Sequence, residues 1–278
     1  MSLSKSYIRA ELHIHTKHSF DAFITIHDLI EHCNKNEIDV ITITDHDVIG
    51  VPRKELQLLR DKGIHCIKGC EITTDNGAHI IGLFVNDTKR GLSLRQTVDL
   101  ILDQGGLVYI PHPFKEGSGL LSEYDLSEND VQYALNAAHF IELYNGGWQS
   151  NNCFQDILDL SEQYNLNLVA GSDAHKKWHL GRYLTEFKTD GNDSISLKER
   201  IQVAQTRLFE QEGDERLKRD KTGNIFIASI RNSSFYQQLM KLIPHKMKRA
   251  LKKLNYYRKL RSLNEEFVES KYIKLTKK

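Results

Sequence analysis

The stretch Glu11-Leu12-His13-Ile14-His15-Thr16-Lys17-His18-Ser19-Phe20-Asp21 decides how the chain is read. Two histidines, two residues apart, end the short apolar run from Ile8 to His15. On an extended strand, residues i and i+2 share a face, so His13 and His15 can point at the same object. Neutral imidazole is a favoured ligand for zinc and also suits iron, manganese and nickel. A single His-X-His pair also occurs in ordinary cores and on surfaces. Its weight comes from what recurs downstream.

Outward from that stretch, short apolar runs alternate with helical spacings. Ile8–His15 reads as strand one, and Ile26, Leu29, Ile30 and Cys33 give a helix over Ile26–Asn36. The β-branched run Asp39–Thr44 is strand two and ends in Asp45-His46-Asp47. Pro52 opens a second helix, at a position where proline is tolerated, and Gly63 stops it. Ile64–Lys68 is strand three and leads to Gly69-Cys70-Glu71. Ala78–Val85 is strand four, reached through Asp75-Asn76-Gly77. Asn-Gly is a hairpin signal, and a parallel crossover needs a dozen or more residues. Strand four is therefore expected to run antiparallel to strand three, with His79 beside Glu71.

Beyond it come helix 92–104, strand 107–111 ending at His112, helix 127–138 capped by Ser127, strand 139–144 and helix 149–164. Strand seven, 167–171, ends in Ser172-Asp173-Ala174-His175, and a last helix is expected over Leu197–Leu208. Seven short strands separated mostly by helices predict an α/β fold, a closed or nearly closed barrel, with an open doubly wound sheet as the alternative. No Gly-X-Gly-X-X-Gly follows strand one, which removes the usual dinucleotide reading.

The chain has 278 residues, 40% apolar and 27% charged, as expected of a soluble globular protein. No apolar run approaches the roughly 18–20 residues of a membrane helix, and the first residues lack a signal-peptide core. Cys33, Cys66, Cys70 and Cys153 form no Cys-X-X-Cys pair, so reduced thiols and a cytoplasmic location are the expectation. The net charge of +1 hides an asymmetry. Residues 241–278 hold 13 Lys/Arg against three Glu, a surplus of +10, which leaves −9 on the first 240.

Catalytic groups of β/α barrels gather at the C-terminal ends of the strands. Here that rim carries His13, His15, Asp45, His46, Glu71, His112, Asp173 and His175, with His79 joining through the hairpin and Asp21 on the first loop. Any one of these has an ordinary reading, a strand-end Asp being a common turn or cap residue. Together, so many ionisable groups in one crevice would leave crowded, partly desolvated carboxylates unless a cation is present.

At this point the chain resembles the PHP (polymerase and histidinol phosphatase) family. The residues that carry the likeness are His13 to Asp21, Thr44-Asp45-His46-Asp47, Gly69-Cys70-Glu71-Ile72, His79 to Leu83, Pro111-His112-Pro113 and Gly171 to His175, in order over about residues 8–190. The resemblance implies a distorted (β/α)7 barrel that binds two to three divalent ions, zinc, manganese or iron, and cleaves phosphate esters. One ion would be held by His13, His15, Glu71 and Asp173. A second would share Glu71 and take His79 and His112. A third would take Asp21, His46 and His175. Many family members place the Asp21 equivalent one residue nearer the histidine pair, which leaves His18 as a competing ligand. Glu71 and Asp173 would carry catalysis, and Asp45 and Asp47 would orient ligand imidazoles. Lys17, Lys176 and Arg182 are the candidates for substrate phosphate, with Lys177 and His179 the weakest. Members acting on nucleotides or oligonucleotides often carry an insertion between the strand-four and strand-five histidines. Only Ile80 to Pro111 lies there, implying a more open site.

The implied organisation is a phosphoesterase domain over 1–212 and a basic, mainly helical extension over 213–278. The extension has helical spacing from Leu239 to Tyr257, broken by Pro244. It reads as an appendage with a solvated basic face, or as a surface for nucleic acid, an anionic membrane or self-association. Three functions are carried forward: hydrolysis of a phosphomonoester or small nucleotide, exonuclease action on RNA or DNA ends, and a non-catalytic metal-stabilised binding module. The sequence leaves the oligomeric state open.

Overall fold

In the computed structural model the described residues are 6–122, 126–148, 153–189, 196–211 and 272–275. The chain divides into two units, 1–210 with 273–278, and 211–272. Nearly all of the second lies outside the described residues. The helical extension expected over 213–278 lies there too, except for a short strand, Tyr272–Leu275.

Strand β1 spans Tyr7–Ile14, β2 Val40–Ile43, β3 His65–Thr73, β4 His79–Leu83, β5 Leu107–Ile110, β6 Ala138–Asn145 and β7 Asn167–Gly171. The hairpin signal at Asn76-Gly77 is borne out. Strand β4 runs antiparallel to β3 with Thr73 opposite His79, and it is antiparallel to β5 as well. The reversal puts the first residue of β4 at the same end of the sheet as the last residues of its neighbours. Strand β3 is longer than expected, so Glu71 lies inside it rather than after it.

Two further strands were not legible in the sequence: β8, Tyr183–Lys188, and β9, Thr206–Gln211. The helix expected over Leu197–Leu208 ends at Val203, and Ala204 turns extended. From Thr206 the chain pairs antiparallel with β8, and that pairing overrides the local helical spacing. With Tyr272–Leu275 as β10, the sheet order is β10-β9-β8-β1-β2-β3-β4-β5-β6-β7.

The sheet curls until its two regions meet. Ile14, at the end of β1, bridges Ala174 just past β7, and His15 N donates to Ala174 O at 2.9 Å. Strand β8, antiparallel to β1, completes the closure through one side chain. The Thr185 hydroxyl accepts from Ala170 N at 2.8 Å and donates to Ala170 O at 3.1 Å. Replacing Thr185 with Val should keep the shape but leave a buried N–H and C=O unpaired. We expect a loss of about 1–3 kcal/mol, read as a lower urea midpoint; an unchanged midpoint would refute this account of the closure.

Of helices α1 (Ile26–Asn36), α2 (Arg53–Asp61), α3 (Leu94–Asp103), α4 (Glu128–Ala137), α5 (Phe154–Gln163) and α6 (Leu197–Val203), four begin at a capping side chain. Thr25 with Asp28, Ser93 with Gln96 and Ser196 with Glu199 form capping boxes, and Ser127 caps α4. One apolar cluster takes residues from every strand from β1 to β8, including Leu12, Val40, Ile67, Ile81, Tyr109, Phe140, Val169 and Phe187, and fills the barrel. Ile201 and Ala204, in and just after α6, join that cluster at the end opposite the histidines. A second cluster lies between the sheet and helices α3, α4 and α5.

Candidate metal centre

The register of β1 against β2 shifts between Glu11 and Ile14, the mark of a β-bulge. Its effect is on direction. Glu11 faces outward and accepts from His32 on α1 at 2.8 Å, whereas Leu12 joins the barrel core and His13 turns to the inner cluster. The bulge thus delivers His13 and His15 to the mouth of the barrel on top of an apolar interior.

Glu71 is the focus. Its carboxylate is 1% exposed and ring nitrogens approach it from both sides. Oε2 lies 3.4 Å from His13 Nε2, 3.1 Å from His15 Nε2 and 3.4 Å from His46 Nδ1. Oε1 lies 2.8 Å from His79 Nδ1 and 2.9 Å from His112 Nε2. Asp173 Oδ1 is 3.3 Å from His15 Nε2, 3.6 Å from His13 Nε2 and 3.5 Å from His175 Nδ1. Asp21 Oδ2 is 3.1 Å from His175 Nε2 and 3.7 Å from His46 Nε2. All nine residues expected from sequence as ligands therefore meet in one cup. His18 does not join them; its Nε2 lies 2.7 Å from Glu55 Oε2.

Three groups have ligand atoms all within 4.8 Å of one another: His13, His15, Glu71 and Asp173; His15, His46 and His175; and His46, Glu71 and His79. Their chemistry fits divalent ions, because imidazole and carboxylate suit zinc, manganese and iron alike. Buried His15 supports the fit. Its Nε2 lies near two carboxylate oxygens, yet neither ring nitrogen makes a hydrogen bond. Such proximity without alignment is what lone pairs aimed at a shared ion produce.

The electrostatics agree. Burial alone would raise the pKa of Glu71, but His46, His79 and His13 around it hold the carboxyl well below the usual range. Asp173 is likewise lowered against its burial, by His13, His15 and His175. Burial opposes protonation of His15, yet Asp173 and Glu71 bring it up to about 9. Burial wins at His46, pushed down to about 3, and it also lowers His112. Without a cation the cluster keeps charged carboxylates and divides protons unevenly among its histidines. Divalent ions compete for the same lone pairs.

Other expected residues fall elsewhere. Asp45 accepts from Thr16 N and Thr16 Oγ1, and Asp47 accepts from Thr73 N and Thr73 Oγ1. Both carboxylates pin rim backbone instead of orienting an imidazole. Lys17 meets Glu55 at 2.5 Å, Lys176 lies over Trp178, and Arg182 donates to Gly146 O at 3.0 Å. Lys177 pairs with Glu31 and Asp28 on α1. A cation that the sequence reading passed over lies against the cluster: Lys115 Nζ is 3.2 Å from Asp173 Oδ2. Its position three residues after His112 was the available signal.

A nearly closed barrel whose mouth gathers six imidazoles and three carboxylates defines a class of metal-site protein. The model of the PHP domain family matches residues 11–276, and the chain belongs to that family. It is 36% identical over 147 residues to an uncharacterized protein of Methanocaldococcus jannaschii, MJ1587, covering 48% of this chain and 84% of that one. Among solved structures, it is similar to a two-domain Bacteroides vulgatus protein containing a predicted PHP-like metal-dependent phosphoesterase. The TM-score is 0.58 at 20% identity, covering 78% of this chain and 69% of that one. It is also similar to Endonuclease Q, solved with a 27-mer duplex substrate bearing an abasic lesion at the active site. There the TM-score is 0.54 at 16% identity, covering 70% of this chain and 55% of that one. Among the described residues no helix is long and apolar enough to cross a membrane.

Proposed function

We propose that the chain is a metal-dependent phosphoesterase that hydrolyses a phosphomonoester or small nucleotide at the mouth of the barrel. The supporting observation is Glu71, whose two oxygens divide five histidines into two sets. A carboxylate so placed is suited to bridge two cations. His13, His15, Glu71 and Asp173 would hold one ion, and Glu71, His79 and His112 a second. Asp21, His46 and His175 would hold a third. Bound in this way, divalent ions activate a water and neutralise phosphoryl oxygens.

The chain's own groups complete the site. Lys115, half-buried and tied to Asp173, would meet a phosphoryl oxygen. Arg182, anchored on Gly146 O, offers a second cationic group near the rim. Cysteine is a poor candidate nucleophile, since burial pushes the Cys66 and Cys70 thiols up to about 12. Glu71 and Asp173 would act by holding ions that, when bound, supply an activated water as the attacking group.

A second reading, an exonuclease acting on RNA or DNA ends, is favoured by charge: residues 241–278 carry the +10 surplus. Endonuclease Q, which shares the fold, works on a duplex. One experiment separates the readings. The full chain, reconstituted with Mn or Zn, is tested for phosphate release from an aryl phosphate, mononucleotides and sugar phosphates, and for shortening of end-labelled oligonucleotides. The first reading expects release from small esters, abolished by chelation and restored by metal. Shortening without release from small esters would favour the second. Full turnover in metal-stripped protein would refute both, and metal binding without any hydrolysis would leave a binding module.

A further inference from the structure

Strand β6 carries a carboxylate that no part of the proposed reaction uses. Glu142 sits in the apolar run Phe140-Ile141-Glu142-Leu143 and is 1% exposed. Its two oxygens meet four groups. Oε1 lies 3.1 Å from His13 Nδ1 and accepts from Tyr109 Oη at 2.6 Å. Oε2 accepts from His112 N at 2.7 Å and from Asn145 Nδ2 at 2.8 Å. A carboxylate has about four lone-pair directions, so this one is fully used.

Two of the four groups belong to histidines of the cluster, one on β1 and one just past β5. A carboxylate only accepts, so the proton of His13 must reside on Nδ1. In a ring that binds a cation, this leaves Nε2, which faces Glu71 and Asp173, as the nitrogen with the lone pair. At His112 the contact is with the main chain. His112 has a φ of 28°, outside the usual range for a residue with a side chain, and its N–H is fixed by Glu142. Asn145 cannot turn over to help, because its Oδ1 already accepts from Gly147 N and Trp148 N.

We propose that Glu142 is a positioning residue that fixes the tautomer of His13 and the backbone of His112, and so tunes both sides of the Glu71 bridge for metal. This inference rests on the metal-centre reading above. Glutamine at this position has one acceptor oxygen and one NH2. If the oxygen faces His13, the NH2 opposes the His112 N–H. If it faces His112, the NH2 forces the His13 proton to Nε2, where a ligand lone pair is needed. Neither orientation serves both histidines.

The test begins with the wild-type full chain loaded with zinc. A long-range 1H–15N spectrum should show the His13 proton on Nδ1; a proton on Nε2 overturns the proposal. Zinc affinity of Glu142→Gln, measured against a competing chelator, should fall about 10- to 100-fold. Wild-type affinity in the variant would also overturn it. If the variant does not fold, the wild-type spectrum still decides. If the wild-type chain itself binds no zinc, the metal-centre reading fails and takes this inference with it, a result distinct from a variant that binds as well as wild type.

Discussion

Replacing Glu71 with Gln is expected to remove hydrolysis of an aryl phosphate almost completely, by more than the roughly 100-fold that losing an outer partner of a metal ligand can cost. The change is nearly isosteric, so packing is preserved; what changes is the oxygen pair. Oε2 faces His13, His15 and His46, while Oε1 faces His79 and His112. An amide can present its oxygen to one set only, and its NH2 then points into lone pairs of the other. It also removes the negative charge on which both positions depend. Elemental analysis should find more than one metal equivalent in the wild type and fewer in the variant. Retained turnover in Glu71→Gln, at wild-type metal content, would show that the carboxylate does not bridge. Thermal unfolding of both proteins distinguishes loss of the site from loss of the fold.

The centre was legible in sequence because its signals are local. His13 and His15 announce themselves by spacing, and Asp45-His46, His112 and Asp173 to His175 by falling where apolar runs stop. His79 needed one more step, from Asn76-Gly77 to a hairpin and from the hairpin to a reversed strand, and that step holds. What escaped depends on contacts between distant segments. Nothing near Tyr183 or Thr206 says that the two strands they open pair with each other, or that the first of them pairs with β1. The bulge that turns His13 inward arises from register against β2, not from composition. Glu142 sits in a strand whose alternation reads like any other, and its role appears only when β5 and β1 close around it. Asp45 and Asp47 misled for the opposite reason: their adjacency to His46 suggested a link to imidazole, whereas their carboxylates satisfy backbone at neighbouring loops.

Gly171 is the position where that long-range closure and the chemistry meet, and Gly171→Ala should harm both. A Cβ built there lies within 3.0 Å of Glu142 Oε1 and of His13 Cβ, closer than real Cβ atoms come. Neither neighbour can yield cheaply. Glu142 is held by His13, Tyr109, His112 and Asn145, and His13 Cβ is tied to the backbone of the bulged strand. Gly171 O also accepts from Gly146 N at 3.0 Å, so β7 cannot simply retreat from β6. Overpacking of this kind costs about 1–3 kcal/mol, which urea unfolding would read directly. If β7 moves outward instead, the loop carrying Asp173 and His175 moves with it, and Asp173 Oδ1 leaves His15 Nε2, now 3.3 Å away. The chain can therefore lower the strain only by loosening the candidate metal ligands. Stability and zinc affinity should fall together in Gly171→Ala. A variant with wild-type values for both would mean that β7 does not press on Glu142 and His13 as described.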